Sequence, residues 1–433
     1  MALGGGSFVT QNKVLPGTYI NFVSVSSASP IISERGLATM PLELDWGIDN
    51  EVFEVTYDDM MKNSIKIFGY DYTHEKLKGL RDLFKNIRIL YCYKLTSDGI
   101  KASNAFATAK YCGIRGNDLK IVIKVNIDDT SKFDVVTMFD DSVVDTQIVA
   151  DKEELVSNDY VDFKDNLVLN ATAGVPLVGG SNGTVNGASH QSYLNKIESY
   201  SFNAMGVLTT DDTIKSLYSN FCRRLRDEVG NKFQLVIHDC AADYMGVVNV
   251  KNRVLGDIES SMVYFTTGLI AGCAVNKSNQ NKIYKGEFKV DTNYTQNQLA
   301  DSILSGEFVY HKVLDDIRVL DDINSKVTVT LEEDENFKDN QTIRLIDQIA
   351  IGTASIFNTK FMGSVPNDES GRISFWSAIV KLHEELKDIR AIENFSDKDI
   401  TISQGNHKKS IVVNNAVTVI NTMTKLYMSV KVG

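Results

Sequence analysis

Residues 204–237 contain the pattern that most restricts how this chain can fold. Two short apolar runs, residues 204–208 and 233–237, flank an amphipathic segment at residues 212–229 that ends at Gly230. The apolar face of that segment comprises Ile214, Leu217, Phe221 and Leu225. A helix that connects two strands is typical of a parallel sheet, and glycine commonly ends a helix. The sequence therefore predicts a β-α-β unit within an α/β core.

Helix-like and strand-like segments also occur on both sides of this unit. Residues 75–88 repeat apolar side chains at helical spacing and lead directly into a strand-like run at residues 89–95. Further helices are predicted at residues 260–274, 296–305, 342–361 and 373–393. The predicted α/β segments therefore lie in both an early and a late part of the chain.

Residues 96–187 have a different pattern, in which short strand-like runs predominate. Short apolar or alternating runs at residues 119–127, 133–139, 143–149 and 167–169 are separated by Asp, Asn, Ser and Gly. Several short strands at such spacing indicate a small antiparallel β domain. The stretch closes with the glycine-rich residues 174–187, which we interpret as a linker that returns to the α/β core.

Both ends of the chain carry strand-like segments. Residues 18–26 follow the turn-forming pair Pro16-Gly17 and are rich in β-branched and aromatic side chains. In residues 426–432, apolar side chains alternate with more polar ones, which is the period of a strand with one buried face. Such a strand needs a sheet to join, either in the same subunit or, by strand addition, in a neighbouring one.

Composition argues against several classes of function. The 45 Lys and Arg against 56 Asp and Glu give a net charge of -11, which opposes phosphate binding, so direct contact with DNA or RNA is not expected. The five cysteines are widely spaced without a C-x-x-C pair, so we expect reduced thiols. Neither a membrane-spanning run nor a signal-peptide pattern is present, so we expect no membrane insertion and folding in a cytoplasm.

No motif assigns chemistry to the chain. Residues 174–187 lack the phosphate-binding glycine patterns, and the sequence has no G-x-S-x-G elbow. His238 and Cys240 follow a predicted strand, where α/β enzymes place catalytic groups, but no partner pattern accompanies them. The histidines are isolated, and the acidic clusters do not match the calcium-loop pattern. The sequence therefore predicts no catalytic, cofactor-binding or metal-binding residue.

The ordered set of segments resembles one family, the contractile phage tail sheath proteins, which also serve phage-tail-like bacteriocins. The matching segments extend over nearly the full chain: residues 15–22 (LPGTYINF), 36–47 (GLATMPLELDWG), 177–187, 193–211 (YLNKIESYSFNAMGVLTTD), 230–237 (GNKFQLVI), 318–325 (RVLDDINS), 340–349 (NQTIRLIDQI), 363–379 (GSVPNDESGRISFWSAI) and 422–432 (TMTKLYMSVKV).

The resemblance implies a fold as well as a function. It implies an inner α/β domain, similar to subtilisin and built from both ends of the chain, with an inserted, outward-facing β-sandwich and extended β-strand arms at both termini. The expected parts are an N-terminal arm and strand (1–26), the first part of the inner domain (27–95), the β-sandwich (96–187), the subtilisin-like core (188–330), the C-terminal part of the inner domain (331–424) and a C-terminal arm strand (425–433). No subtilisin-like triad can be carried onto this sequence, so the fold implies no protease activity.

In this family, subunits form six-membered rings that stack helically around a tail tube and contract to drive the tube through a cell envelope. The resemblance implies a homopolymer with tail tube, baseplate and tail-terminator proteins as partners and no cofactor. The particle would be a virion or a phage-tail-like particle, assembled in the bacterial host cytoplasm.

The resemblance also implies which residues make the contacts between subunits. The N-terminal arm strand would use Tyr19, Ile20, Phe22, Val23 and Val25, and the C-terminal arm strand would use Leu426, Tyr427, Met428, Val430 and Val432. A tube-facing helix is expected within residues 373–393, where the charged candidates are Lys381, Glu384, Glu385, Lys387 and Asp388.

Two other interpretations stay open at this point. A cytoplasmic α/β enzyme, such as a hydrolase, would require a cleft in which His238 or Asp239 has a strongly perturbed pKa and a nucleophile lies within reach. Another self-assembling structural protein would form closed shells or flat sheets rather than tubes.

Overall fold

The computed structural model describes residues 35–432, which form an α/β core, an inserted β part and a C-terminal part. The predicted N-terminal arm strand, with Tyr19, Ile20, Phe22, Val23 and Val25, lies outside the described residues.

The strands, in chain order, are β1 Leu37–Leu42, β2 Val52–Thr56, β3 Ile89–Lys94, β4 Ala107–Ala109, β5 Leu119–Val125, β6 Phe133–Phe139, β7 Ser142–Val149, β8 Val161–Phe163, β9 Val175–Pro176, β10 Ala204–Val207, β11 Gln234–His238, β12 Val247–Val250, β13 Glu307–Phe308, β14 Tyr310–Val313, β15 Asp316–Val319, β16 Ile392–Glu393, β17 Ile400–Gln404, β18 Ile411–Asn415 and β19 Thr418–Val419. The α-helices are α1 Tyr57–Lys62, α2 Ser64–Phe68, α3 Lys78–Phe84, α4 Gly187–Ile197, α5 Asp212–Arg224, α6 Met262–Gly272, α7 Gln296–Leu304, α8 Asn340–Ile356 and α9 Glu369–Asp388. Two π-helical turns, Leu225–Val229 and Phe357–Phe361, continue α5 and α8.

The α/β core is built on a seven-stranded sheet in the order β13-β12-β11-β10-β1-β3-β2. Its neighbouring strands are parallel, except that β2 runs antiparallel to β3. One face of the sheet packs on α3 and α6, and the other packs on α4 and α5, so that apolar side chains fill two separate layers. The predicted β-α-β unit consists of β10, α5 and β11, and its parallel pairing is confirmed.

The ends of α5 show why the sequence folds this way locally. Asp211 precedes the helix, and its side chain accepts hydrogen bonds from the backbone amides of Thr213 and Ile214. At the other end, the π-helical turn leads to Gly230, which adopts the left-handed conformation (φ 90°) that glycine tolerates best. Both capping residues lie at the limits that the sequence indicates.

The inserted part contains an antiparallel sheet in the order β7-β6-β5-β9 and a two-stranded sheet of β4 and β8. The two sheets share one apolar core, to which Trp46 from the α/β part contributes. Three of the predicted strand-like runs are β5, β6 and β7. The prediction of a strand at residues 167–169 is wrong. The backbone amide of Leu167 donates to the Lys164 carbonyl in a turn, and residues 167–169 pair with no strand among those described.

The chain enters and leaves the inserted part along one paired connection. Residues 97–103 and 178–184 are joined by antiparallel bridges, and in each bridge the two residues exchange both backbone hydrogen bonds at 2.9 to 3.1 Å. The bridged pairs are Ser97 with Thr184, Ile100 with Ser181, and Ser103 with Val178. The glycine-rich residues 174–187 are therefore not a plain linker, since they contain β9 and one side of this ladder.

The C-terminal part packs α8 against α9 and carries the antiparallel hairpin of β17 and β18. The predicted helix at residues 373–393 is displaced toward the N-terminus. Its start is set by Asp368, whose side chain accepts a hydrogen bond from the Gly371 amide, and α9 ends at Asp388. Arg390 then adopts a left-handed conformation (φ 59°), and the chain turns into β16, which pairs with β19.

Candidate assembly surfaces

The hairpin of β17 and β18 has two edges that no other described strand covers. One of its faces packs on Phe375 and Ile379 of α9 through Ile400, with Ile402 and Val413 partly buried beside them. The opposite face is exposed, at Thr401, Ser403, Val412 and Asn414. The hairpin is therefore a half-buried sheet of two strands, which is fewer than a stable free-standing sheet usually has.

The register shows which backbone groups point away from the hairpin. Ala416 donates to the Asp399 carbonyl at one end of the ladder, and Gly405 donates to the Ser410 carbonyl at the other. Hydrogen-bonded and non-hydrogen-bonded pairs alternate in an antiparallel ladder, so the pairs 402/413 and 404/411 are of the second kind. Their amides and carbonyls are directed outward, where an added strand would meet them.

A groove runs along the free edge of β17. It has a volume of about 570 Å³ and lies between the strand and the residues Glu369, Arg372, Ile373 and Trp376 of α9. Trp376 is held in place because its indole N–H donates to the Ile400 carbonyl at 2.9 Å. Ile373 is 57% exposed, so the groove presents apolar surface beside an open strand edge.

A second groove, of about 630 Å³, lies beside β18. Its aromatic lining comes from Phe357 and Phe361 in the π-helical turn and from Phe375 in α9, whose ring centroid is 5.4 and 4.9 Å from theirs. Lys408 and Lys409, in the turn of the hairpin, also line it. Arg372 lines both grooves. The two edges of the hairpin are flanked by grooves of different charge, because the first adds the carboxylate of Glu369 to this arginine and the second adds two ammonium groups.

The chain leaves the C-terminal part from the start of α8. Gln341 Nε2 donates to the Ile420 carbonyl at 3.0 Å, and the Thr422 amide donates to Gln341 Oε1 at 3.2 Å. Asn421 Nδ2 donates to Thr342 Oγ1 at 3.2 Å. Beyond these contacts residues 423–432 form neither helix nor strand, and we call them the C-terminal arm.

The predicted C-terminal contact residues lie in this arm. Their exposed fractions range from 70% at Val430 to 92% at Val432, with Leu426, Tyr427 and Met428 between these values. Among the residues that the structure describes, the alternating pattern therefore joins no sheet of its own subunit. Its use as a strand in a neighbouring subunit stays a prediction.

The charged residues predicted for tube contact lie in the last two turns of α9. Lys381, Glu384, Lys387 and Asp388 are exposed, and Glu385 is partly buried. Leu382 and Leu386, on the opposite side of the helix, are buried. This face is free among the described residues, and its contact with a tube stays a prediction.

Two buried ion pairs join α8 to the α/β core, and the sequence analysis missed both. Arg344 contacts Asp322 at 2.7 Å, and Arg226 makes two bonds of 2.8 Å to the carboxylate of Asp347. Burial acts to raise the pKa of Asp322, but Arg344 and the hydrogen bonds from the Asn279 amide and Asn340 together hold that pKa below its usual value. Breaking such a pair is costly because one charge would stay buried alone.

The described part of the chain places no activated nucleophile beside His238. Burial lowers the pKa of this histidine and raises that of the Cys240 thiol, which disfavours a reactive thiolate. The polar neighbour of Cys240 Sγ is the Ser219 hydroxyl, 3.5 Å away. Within residues 35–432, no group of His, Cys, Asp and Glu side chains is arranged to hold a metal ion, and none of the helices is long and apolar enough to cross a membrane.

Comparison with known proteins gives matches over all of these parts. Family models match the tail sheath protein Gp18 domain III N-terminal region (residues 35–95), the phage tail sheath protein beta-sandwich domain (97–182), the central domain (183–325) and the C-terminal domain (332–433). The chain is therefore a tail sheath protein in fold and in sequence. It belongs to the phage tail sheath protein family.

Individual relatives agree with this assignment. The phage-like element PBSX protein XkdK of Bacillus subtilis is 30% identical, with 100% of each chain covered. The sheath tail protein of Desulfitobacterium hafniense is 32% identical, with a TM-score of 0.82 over 95% of this chain and 99% of that one. The sheath complex of an extracellular contractile injection system, in its contracted state, has 11% identity and a TM-score of 0.58 over 97% and 98%, which shows a common fold.

Proposed function

We propose that this sheath protein polymerises as stacked six-membered rings around a tail tube, and contracts to drive the tube through a target cell envelope. The observation that supports this best is that one chain carries both an exposed arm and a hairpin with two open edges. The two features are complementary, because an extended strand completes an open sheet edge. Donation from head to tail forms a ring where the rotation between subunits closes and a helical polymer where it does not, so it is compatible with rings that stack helically.

We assign the C-terminal arm of one subunit to the β17 edge of a neighbour. An eight-residue strand reaches roughly 26 Å, enough to extend along a five-residue strand such as β17. The arm carries Lys425 and Lys431. In the groove beside β17 the carboxylate of Glu369 offsets the charge of Arg372, whereas in the groove beside β18 Lys408 and Lys409 add to it. Charge therefore favours the β17 edge for this arm.

The β18 edge is left for the N-terminal arm, whose residues 18–26 carry no charged side chain. In the extended and contracted states the subunits would pack differently, while strands shared between neighbours keep the polymer connected. The free energy for contraction would come from the better packing of the contracted state, without a nucleotide.

The inner domain is proposed to have a subtilisin-like arrangement, supported by the parallel sheet with helices on both faces. The β-sandwich would face outward, and the exposed end of α9, with Lys381, Glu384, Glu385, Lys387 and Asp388, would face the tail tube. Baseplate and tail-terminator proteins would cap the polymer, and assembly would take place in the host cytoplasm. The role is structural rather than enzymatic.

Electron microscopy of negatively stained protein tests the proposal. The purified chain is imaged alone and together with its candidate tube protein, and we expect hollow helical tubes with sixfold end views. A sample that stays monomeric under both conditions would contradict it, and closed shells would favour a different structural role.

The acceptor edge has its own test. Gln404→Pro removes an outward-directed amide from the β17 edge while leaving the pairs within the hairpin intact, so tubes should fail to form. Val412→Thr, on the exposed face of the hairpin, is the matched control and should assemble normally. Normal tubes from the proline variant would rule out the β17 edge as the acceptor.

A further inference from the structure

The first two turns of α8 contain an unusual number of buried polar side chains. Asn340, Gln341, Thr342, Arg344 and Asp347 are each less than 9% exposed. Burying polar groups costs free energy unless each finds a hydrogen-bond partner. Here each of these side chains makes at least one hydrogen bond, and the partners lie in two different places. Arg344 Nε and Nη1 have no partner among the described residues.

One set of partners belongs to the α/β core. Asn340 Nδ2 donates to the carboxylate of Asp322 at 3.1 Å, and Asn340 Oδ1 accepts from Gln234 Nε2 at 2.7 Å. Arg344 and Asp347 complete this set through the buried ion pairs with Asp322 and Arg226. These contacts hold the start of α8 firmly to the core.

The other set of partners is the root of the C-terminal arm. The side-chain amide of Gln341 contacts the carbonyl of Ile420 and the amide of Thr422, the two residues on either side of Asn421. A residue of a parallel strand makes the same two bonds to the residues that flank its partner. Gln341 therefore acts on the arm root as a single residue of a neighbouring strand, and keeps residues 420–422 extended.

We infer that Gln341 is the positioning residue that sets where, and in which direction, the C-terminal arm leaves its subunit. The inference rests on the proposed function, since direction matters only if the arm must reach a neighbour. We call the two bonds from Gln341 to Ile420 and Thr422 the clamp. Met423, the first residue beyond the clamp, is 102% exposed, so the free segment begins there. Releasing the clamp would lengthen the free segment and lower the effective concentration of the arm at its acceptor edge.

The variant Gln341→Met tests this role, because methionine fills a similar volume and forms neither bond. In the monomer, hydrogen exchange of the Thr422 amide should become about tenfold faster, as expected when a bond worth about 1.4 kcal/mol is lost. In assembly, the critical concentration for polymerisation should rise about tenfold. Gln191→Met is the matched control, because Gln191 is exposed and its amide contacts the exposed Asn195, so neither quantity should change.

A further measurement separates a fault in donation from a damaged subunit. A labelled synthetic peptide of residues 423–432 should bind the Gln341→Met variant and the wild type with equal affinity, since the hairpin that accepts it is untouched. Weaker peptide binding would show general damage and overturn the inference. A variant that polymerises at the wild-type critical concentration would overturn the inference and leave the proposed function intact. A wild-type chain that forms no polymer would overturn both.

Discussion

The seven-stranded sheet and the two-stranded hairpin differ in how far their faces and edges are covered by the rest of the chain. The sheet is covered by helices on both faces, and its strands β10, β11 and β12 are buried at every position. The hairpin is covered on one face, and both of its edges are free among the described residues. Among the described residues the core sheet is thus covered within one chain, whereas in the proposed assembly the edges of the C-terminal hairpin are covered by strands from other chains. Stability and assembly should therefore respond to different substitutions.

The largest effect on stability is expected from Arg344→Ala. The substitution leaves Asp322 charged and buried without its partner, which should lower the free energy of unfolding by about 3–5 kcal/mol. Urea denaturation followed by circular dichroism measures the change. Lys338→Ala removes an exposed pair with Glu335 in the 3₁₀ turn that precedes α8, and should change the free energy of unfolding by less than about 0.5 kcal/mol. Equal effects in the two variants would mean that the buried pair does not hold α8 to the core.

A smaller effect is expected from Ile379→Ala. This side chain is fully buried between α9 and the hairpin, so its loss should cost about 2–4 kcal/mol. Hydrogen exchange should show whether the cost is confined to the C-terminal part. Faster exchange in β11, within the core sheet, would break the distinction between the two regions.

The third expectation concerns pH. Burial, with the nearby charge of Asp322, raises the pKa of Asp339 to about 6. The folded chain then binds this proton more tightly than the unfolded chain, so stability should fall as pH rises from about 4 to 6. Asp339→Asn keeps an oxygen for the amides of Gln341 and Thr342 but cannot titrate. In this variant the decrease in the free energy of unfolding between pH 4 and 6 should be smaller by on the order of 1–2 kcal/mol. Identical pH profiles for variant and wild type, measured by thermal unfolding, would contradict this.

The smallest effect on stability is expected from deleting residues 426–433. The removed side chains that the structure describes are exposed, so the free energy of unfolding should change by less than about 0.5 kcal/mol, while polymerisation should be lost. Sedimentation velocity and calorimetry on the same sample check both parts. A truncated monomer that no longer unfolds cooperatively would show that the arm supports its own subunit instead.

Much of the core could be predicted because its signals are local. The helical spacing of residues 212–229, the preceding Asp211 and the final Gly230 define one element without reference to the rest of the chain. The buried ion pairs could not be predicted, because Arg226 and Asp347 are far apart in sequence and meet only through the fold. The clamp on the arm root was missed for the same reason, since Gln341 is an ordinary helical residue until Ile420 lies beside it.

The boundaries of α9 show a second limit. Residues 389–393 continue the apolar spacing of α9. The helix ends because Arg390 adopts a left-handed conformation, which cannot be predicted from that spacing. The arm itself was predicted from alternation alone, and what it joins depends on another copy of the chain.

The paired connection at residues 97–103 and 178–184 also bears on how such a chain can evolve. Because entry and exit lie side by side, everything between them can change in size or be replaced while the two cut ends stay within bonding distance. A lineage that reduced the insert to a tight turn closing Ser97 onto Thr184 would keep the seven-stranded sheet in register. The inserted β part can therefore change without disturbing the strand pairing of the core.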